Sequence, residues 1–197
     1  MGKLLYQGHG SYRIVTDNGI VIYVDPFAGE GYDLPADLVL VSHEHPDHNK
    51  LSLLNQKKGC TILRPETILI GGVYGSRKID DISIQAVPAY NAKHDKNHCV
   101  GYLIELDGIK IYASGDTSFT DYMSDVLSKE KIAYALLPID GIFNMNPEEA
   151  SKCAEVIGAI HTIPIHMKPG ALFDRQIAQS FVSKGRLILA PKEEIIL

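Results

Sequence analysis

Apolar positions along this 197-residue chain fall into short runs rather than long helical repeats. Residues 3–27, KLLYQGHGSYRIVTDNGIVIYVDPF, read as consecutive short strands, and Asp17-Asn18-Gly19 between two β-branched runs predicts a tight hairpin. Asp25-Pro26 closes the next strand. Residues 36–42, ADLVLVS, form a continuous apolar run bounded by polar residues, the pattern of a buried strand. Pro46 suits the first position of a helix, which would set Asp47 and His48 in its first turn.

Further strands are expected over 60–63 and 82–88, and VGYLIELDGIKIYASGDT reads as a hairpin turning at Asp107-Gly108. IGGVYG (70–75) reads as a turn, because it lacks the spacing and context of a phosphate-binding glycine loop. Residues 134–140 form another buried strand followed by a loop. Asn146-Pro147-Glu148-Glu149 combines an N-cap, a first-turn proline and two acids favoured by the helix dipole, so a helix runs from there to about Gly158. Residues 161–166 are strand then loop, 174–183 helical, and 186–190 a last strand. The early half is β-rich and the later half alternates helix and strand. Nothing resembling a linker divides the pattern, which gives one α/β domain over residues 1–197.

Composition narrows the function classes. A net charge of −5 argues against a partner held mainly through phosphate-backbone electrostatics. Cys60, Cys99 and Cys153 are scattered and form no C-x-x-C pair, which fits a reducing, cytoplasmic setting rather than a disulfide framework. No segment has the length and apolarity of a signal peptide or membrane span, and Tyr6 stands where a myristoylation signal needs Ser or Thr.

The chemistry concentrates in SHEHPDHNK, residues 42–50. His43 and His45, two apart on an extended segment, project the same way and can converge on one point. Asp47 and His48 follow at once. Imidazoles and a carboxylate are the usual ligands of zinc, manganese or iron, and two adjacent ligand groups suggest two ions rather than one.

With this H-x-H-x-D-H motif, and with QGHGSYRI, VDPF, VPAYNAKH, the G-D-T of SGDTS, LLPIDG, PEEA and IPIHM in order, nearly the whole chain resembles the metallo-β-lactamase-fold hydrolase superfamily. It is similar in particular to a small branch related to L-ascorbate-6-phosphate lactonase. The resemblance implies a four-layer αβ/βα sandwich carrying a dinuclear site. His43, His45 and a downstream histidine would hold the first metal, and Asp47, His48 and His166 the second. Asp116 would bridge both. The downstream histidine is His94 or His98, and the family pattern matches His94 better. His9 would sit near the site as a contact to a ligand or the substrate, and Asp25 would orient a ligand histidine. Lys168, two residues past His166, is a candidate for holding an anionic group of the substrate, and His161 reads as structural.

The expected cofactors are two divalent ions, zinc first, with manganese or iron as alternatives. The expected reaction is hydrolysis of an ester, lactone or phosphoester bond in a small molecule by a metal-bridging hydroxide, with Asp47 orienting the nucleophile. A phosphodiesterase or nuclease of the same fold, or a non-catalytic metal-binding regulator, is the alternative. The motif departs from the H-x-E-x-D of flavodiiron proteins at His45. The compact acidic chain lacks the basic arm expected of a nuclease. No membrane partner is expected, nucleic acid is disfavoured, and self-association into a homo-oligomer is left open.

Overall fold

The computed structural model describes residues 1–197. In chain order its strands are β1 (Lys3–Gly8), β2 (Ser11–Val15), β3 (Val21–Val24), β4 (Ala36–Leu40), β5 (Gln56–Leu63), β6 (Leu69–Ile70) and β7 (Val73–Tyr74). They continue as β8 (Ser76–Ile79), β9 (Ile82–Pro88), β10 (Val100–Leu106), β11 (Ile109–Ala113), β12 (Tyr134–Pro138), β13 (His161–Ile165) and β14 (Glu194–Ile196). The helices are α1 (Pro65–Ile68), α2 (Asp121–Asp125), α3 (Pro147–Ile157) and α4 (Arg175–Ser180). Two six-stranded sheets, ordered β14-β1-β2-β3-β4-β5 and β13-β12-β11-β10-β9-β8, pack face to face, and β6 and β7 form a small separate hairpin.

Period-two alternation sorts each central strand between layers. In β12, Tyr134 and Leu136 enter the core between the sheets, while Ala135 and Leu137 face the helices. In β4, Leu38 and Leu40 enter that same core, while Val39, and Val41 just past the strand, pack outward under Tyr32, Leu34 and Leu51. Helices α3 and α4 cover the outer face of the second sheet, contributing Ala150, Cys153, Ala154, Ile157 and Ala178. The outer face of the first sheet is covered by loops and a single 3-10 turn, Leu51–Leu53. The mixed α/β sandwich is thus realised with one helical outer layer and one built mostly from loops.

Local signals account for the element ends. The Asp17-Asn18-Gly19 hairpin joins antiparallel β2 and β3, with Gly19 at φ +81°. The Asn146 side chain accepts the Glu149 amide at 2.8 Å, Pro147 follows it, and Gly158 ends α3 in the left-handed region at φ +68°.

Three expectations change. Residues 46–48 form a turn and not a helix start. The Lys50 amide, which would close a first α-helical turn onto Pro46, donates instead to the Pro26 carbonyl at 2.8 Å. The expected strand at 186–190 reduces to one bridge, Thr162 with Arg186. Thr162 bonds both Gly185 and Leu187. The next β13 residue whose backbone edge faces this segment is Pro164, which has no N–H to continue the ladder. The last strand is β14, paired with β1. Helix α4 is shorter than 174–183, because the Val182 amide donates to Ser151 Oγ at 2.9 Å.

Strand direction gathers the site. Strands β3 and β4 run parallel in one sheet, and β11, β12 and β13 run parallel in the other. Asp25, Ser42-His43, Asp116, Asp140 and His166 all follow the carboxyl ends of these strands. Strands β2 and β10 are antiparallel to their neighbours β3 and β11, so the loops preceding them, carrying His9 and His94, lie at the same edge. Crevices at the carboxyl ends of parallel strands are the usual ligand sites of α/β sheets.

Candidate metal centre

At this edge His43, His45 and His94 form one group whose ligating atoms lie within 4.8 Å of one another, and His9, Asp47, His48 and His166 form a second. Asp116 stands between them. Its Oδ2 lies 3.3 Å from His94 Nε2 and 3.4 Å from His166 Nε2, and its Oδ1 lies 3.5 Å from His48 Nε2. His43, His48, His94, Asp116 and His166 are buried, Asp47 is half-buried and His45 is exposed.

Each buried imidazole of the set is held from behind. His48 Nδ1 lies 2.9 Å from Asp25 Oδ2. His43 Nδ1 lies 2.9 Å from Ser42 Oγ, which itself donates to Asp25 Oδ2 at 2.6 Å. His94 Nδ1 lies 3.0 Å from Asn91 Oδ1. His166 Nδ1 lies 2.8 Å from Asp140 Oδ2, a short ion-pair contact that is out of line for a ring N–H hydrogen bond. With Nδ1 turned to an oxygen, Nε2 turns inward, and the buried His48 Nε2 has no hydrogen-bond partner at all. A buried, unpaired ring nitrogen facing a carboxylate is costly unless a cation completes it.

The spacing agrees. Around a tetrahedral ion with bonds of about 2.0–2.1 Å, neighbouring donors stand about 3.3 Å apart. The Asp116 contacts have that separation. The donor set of imidazoles and carboxylates therefore fits a divalent transition metal.

Electrostatics points the same way. Burial alone would raise the pKa of Asp116, but His48, His166 and His43 hold it down at about 2. Asp47 is half-buried, yet the His9 contact and the nearby His48 keep its carboxyl well below the ordinary carboxylate range. Burial opposes a proton on His48, but Asp116 and Asp25 outweigh it and push its pKa up to about 9. Desolvation lowers His43 and His94. Two anionic carboxylates thus stand among imidazoles of which His43 and His94 favour the neutral form that binds a cation, while His48 would have to give up a proton to do so.

The structure brings His43, His45, Asp47, His48, His94, Asp116 and His166 together. It separates His94 from His98, which is exposed. His9 is fully buried, with Nε2 3.1 Å from Asp47 Oδ2, Nδ1 3.1 Å from the Ala171 carbonyl, and its ring 3.8 Å from that of His166. Asp25 takes the Ser42 amide as well as the His48 ring. Lys168 is exposed and lies outside both cavities that adjoin the cluster, and the lysine that lines them is Lys93. His161 stacks on Tyr134, away from the site. Ser42, Asn91, Lys93 and Asp140 join the site without a motif that points to them in the sequence. Asp140 was accessible to the strand-end argument, since it follows buried β12 as Asp116 follows β11. Ser42 and Asn91 carry no such signal.

Residues 3–166 match the family model described as a β-lactamase superfamily domain. Over its full length the chain is 32% identical to a UPF0173 metal-dependent hydrolase of Thermococcus onnurineus, covering 99% of that protein. It is 29% identical to a UPF0173 metal-dependent hydrolase of Thermus thermophilus, covering 94% of this chain and 92% of that one. Among solved structures, the metallo hydrolase Igni18 of Ignicoccus hospitalis superposes with a TM-score of 0.77 at 25% identity, covering 98% of this chain and 97% of Igni18. The isothiocyanate hydrolase of Delia radicum gut bacteria shares the fold, with a TM-score of 0.72 at 17% identity over 98% of each chain.

Proposed function

The chain belongs to the β-lactamase superfamily of metal-dependent hydrolases, and from that premise we propose that its cluster holds two divalent ions and cleaves an ester, lactone or phosphoester bond in a small molecule. One observation carries the reading: Asp116 reaches His94 with one oxygen, His48 with the other, and so touches both ligand groups at once. His43, His45 and His94 would hold one ion, Asp47, His48 and His166 the other, and Asp116 both. Such ions supply a Lewis acid and bring the pKa of a coordinated water toward neutrality.

The chain's own residues do the rest. Asp25, Ser42, Asn91 and Asp140 fix the rings so that Nε2 points inward. Asp47, half-exposed at the cavity wall and ionised, is placed to orient a nucleophile by accepting its hydrogen. A cavity of about 340 Å³ over the cluster has the size of a small-molecule site, which supports a small substrate over a nucleic acid. Zinc is the first candidate and manganese or iron the next. A sugar-phosphate lactone is one member of the substrate class.

Metal analysis of loaded protein should approach two equivalents per chain, and a panel of lactones, phosphodiesters and thioesters should reveal turnover. Asp116→Asn, which keeps size but removes charge, should lower that turnover about 100-fold or more with the fold retained. Saturation at one equivalent, unchanged by Asp116→Asn, would overturn the dinuclear reading.

A further inference from the structure

The cavity over the cluster has a chemically distinct mouth. Its inner wall is His45, Asp47, His94, Asp116 and His166, whereas Lys93 and Phe143 belong to its rim. A second cleft, of about 550 Å³, shares His45, Lys93 and His94 with it. Histidines aside, Lys93 is the one cation lining either space. No carboxylate engages Lys93, and among the lysines without such a partner it is the one that lines these two spaces.

Hydrogen bonds tie down the backbone of the rim. Asn91 and His94 exchange backbone hydrogen bonds, closing a tight turn with Lys93 at its tip, and the Lys93 amide donates to Asn91 Oδ1 at 2.8 Å. Asn91 Nδ2 reaches across to the Phe143 carbonyl at 2.9 Å. Asp140 Oδ1 accepts the amides of Ile142, Phe143 and Asn144. Ile142 and Phe143 nevertheless leave 62% and 44% of their surface exposed. Of the two, Phe143 lines the cavity, so its exposed ring is available to a ligand there. Asn91 thus ties a cluster imidazole to the backbone segments that carry Lys93 and Phe143.

We propose that Lys93 and Phe143 select the substrate: a compact organic anion whose scissile group meets the cluster, whose carboxylate or phosphate meets the Lys93 ammonium, and whose carbon skeleton lies on the Phe143 ring. This rests on the metal-hydrolase reading above. A lysine is a point charge on a flexible stem, so it accepts either anion without the bidentate geometry that arginine would impose. The aromatic ring supplies burial for the intervening carbons.

Cobalt-loaded protein allows a test that does not depend on turnover, because a thiolate on cobalt gives a charge-transfer band. The probes are 3-mercaptopropanoate, its methyl ester, 2-mercaptoethylphosphonate and 2-benzyl-3-mercaptopropanoate. At least one anionic probe should bind about tenfold more tightly than the ester, and the carboxylate–phosphonate order identifies the preferred anion. Lys93→Gln should abolish that preference and Lys93→Arg restore part of it. Phe143→Ser should erase the advantage of the benzyl group, also about tenfold. Both side chains are solvent-facing, and unchanged circular dichroism and cobalt content confirm that each variant is folded and loaded. A preference that survives Lys93→Gln, or a wild-type band with no preference for anions, overturns the proposal and leaves the metal site standing. No band with any thiol overturns the metal-site reading, and the substrate assignment falls with it.

Discussion

Asp25 illustrates how much of the site is carried by residues that would not touch a metal. Its two oxygens receive the His48 ring, the Ser42 hydroxyl and the Ser42 amide, and Ser42 in turn faces the His43 ring. One carboxylate therefore orients an imidazole in each ligand group. Asp25 has φ +45°, a region that Asn also tolerates, so Asp25→Asn preserves the backbone while removing the charge. Metal affinity, measured by competition with a chromophoric chelator, should fall about 10–100-fold. His94→Ala should deplete the metal proposed for the three-histidine group, whereas His98→Ala, on an exposed ring, should leave metal content intact. The reverse pattern in metal analysis would exchange their roles. Gly10 matters for a different reason: a Cβ there would stand 3.1 Å from His48 Cε1, so the β1–β2 turn must stay bare for the ring to keep its place.

At the scale of elements, helix α3 shows a local signal that survives tertiary packing. Its cap, its first-turn proline and its terminal glycine agree with the burial of Ala150, Cys153, Ala154 and Ile157 on one face. Asn146→Ala should cost about 1 kcal/mol, seen as a melting temperature lower by about 2–4 °C, with metal content unchanged. An unaltered melting point would show that packing alone fixes the helix start. The turn at 46–48 is the opposite case. Proline followed by Asp and His favours a helix, but the Pro26 carbonyl captures the Lys50 amide and Asp25 captures His48. A contact from a different strand end overrides the local preference.

For the molecule as a whole, the cluster couples stability to pH and to metal. In the metal-free protein, burial opposes protonation of His48 and His166, but Asp116 with Asp25 or Asp140 raises both, His48 to about 9. A raised histidine stabilises the fold fully below its unfolded value of about 6.5, and that contribution is lost as pH rises through the folded value. Chelated protein should therefore melt at progressively lower temperature between pH 6.5 and 9. Metal binding must displace those protons, so the rise in melting temperature on adding zinc should grow over the same interval. Differential scanning calorimetry with and without chelator measures both. A metal-induced shift that is absent, or that shrinks with rising pH, would show that the cluster is not a preformed cation site.

The residues alone disclosed the short alternating strands, the Asp17-Asn18-Gly19 hairpin, the α3 caps and the H-x-H-x-D-H segment. Each of these rests on neighbours a few positions apart, where side-chain periodicity and backbone preference act directly. The resemblance added Asp116, His166 and the expected closeness of His9 and Asp25. Tertiary structure decided what depends on long separations. It buried His94 and left His98 exposed, and it brought Lys93 rather than Lys168 to the cavity. It joined Asp25 to His48 and His9 to Asp47 across 23 and 38 positions of sequence. It also ended the pairing beyond β13 at Pro164, where a missing amide donor stops a ladder that the apolar run at 186–190 would otherwise have extended. Such contacts are fixed by which strand ends share an edge, and only the folded sheets establish that.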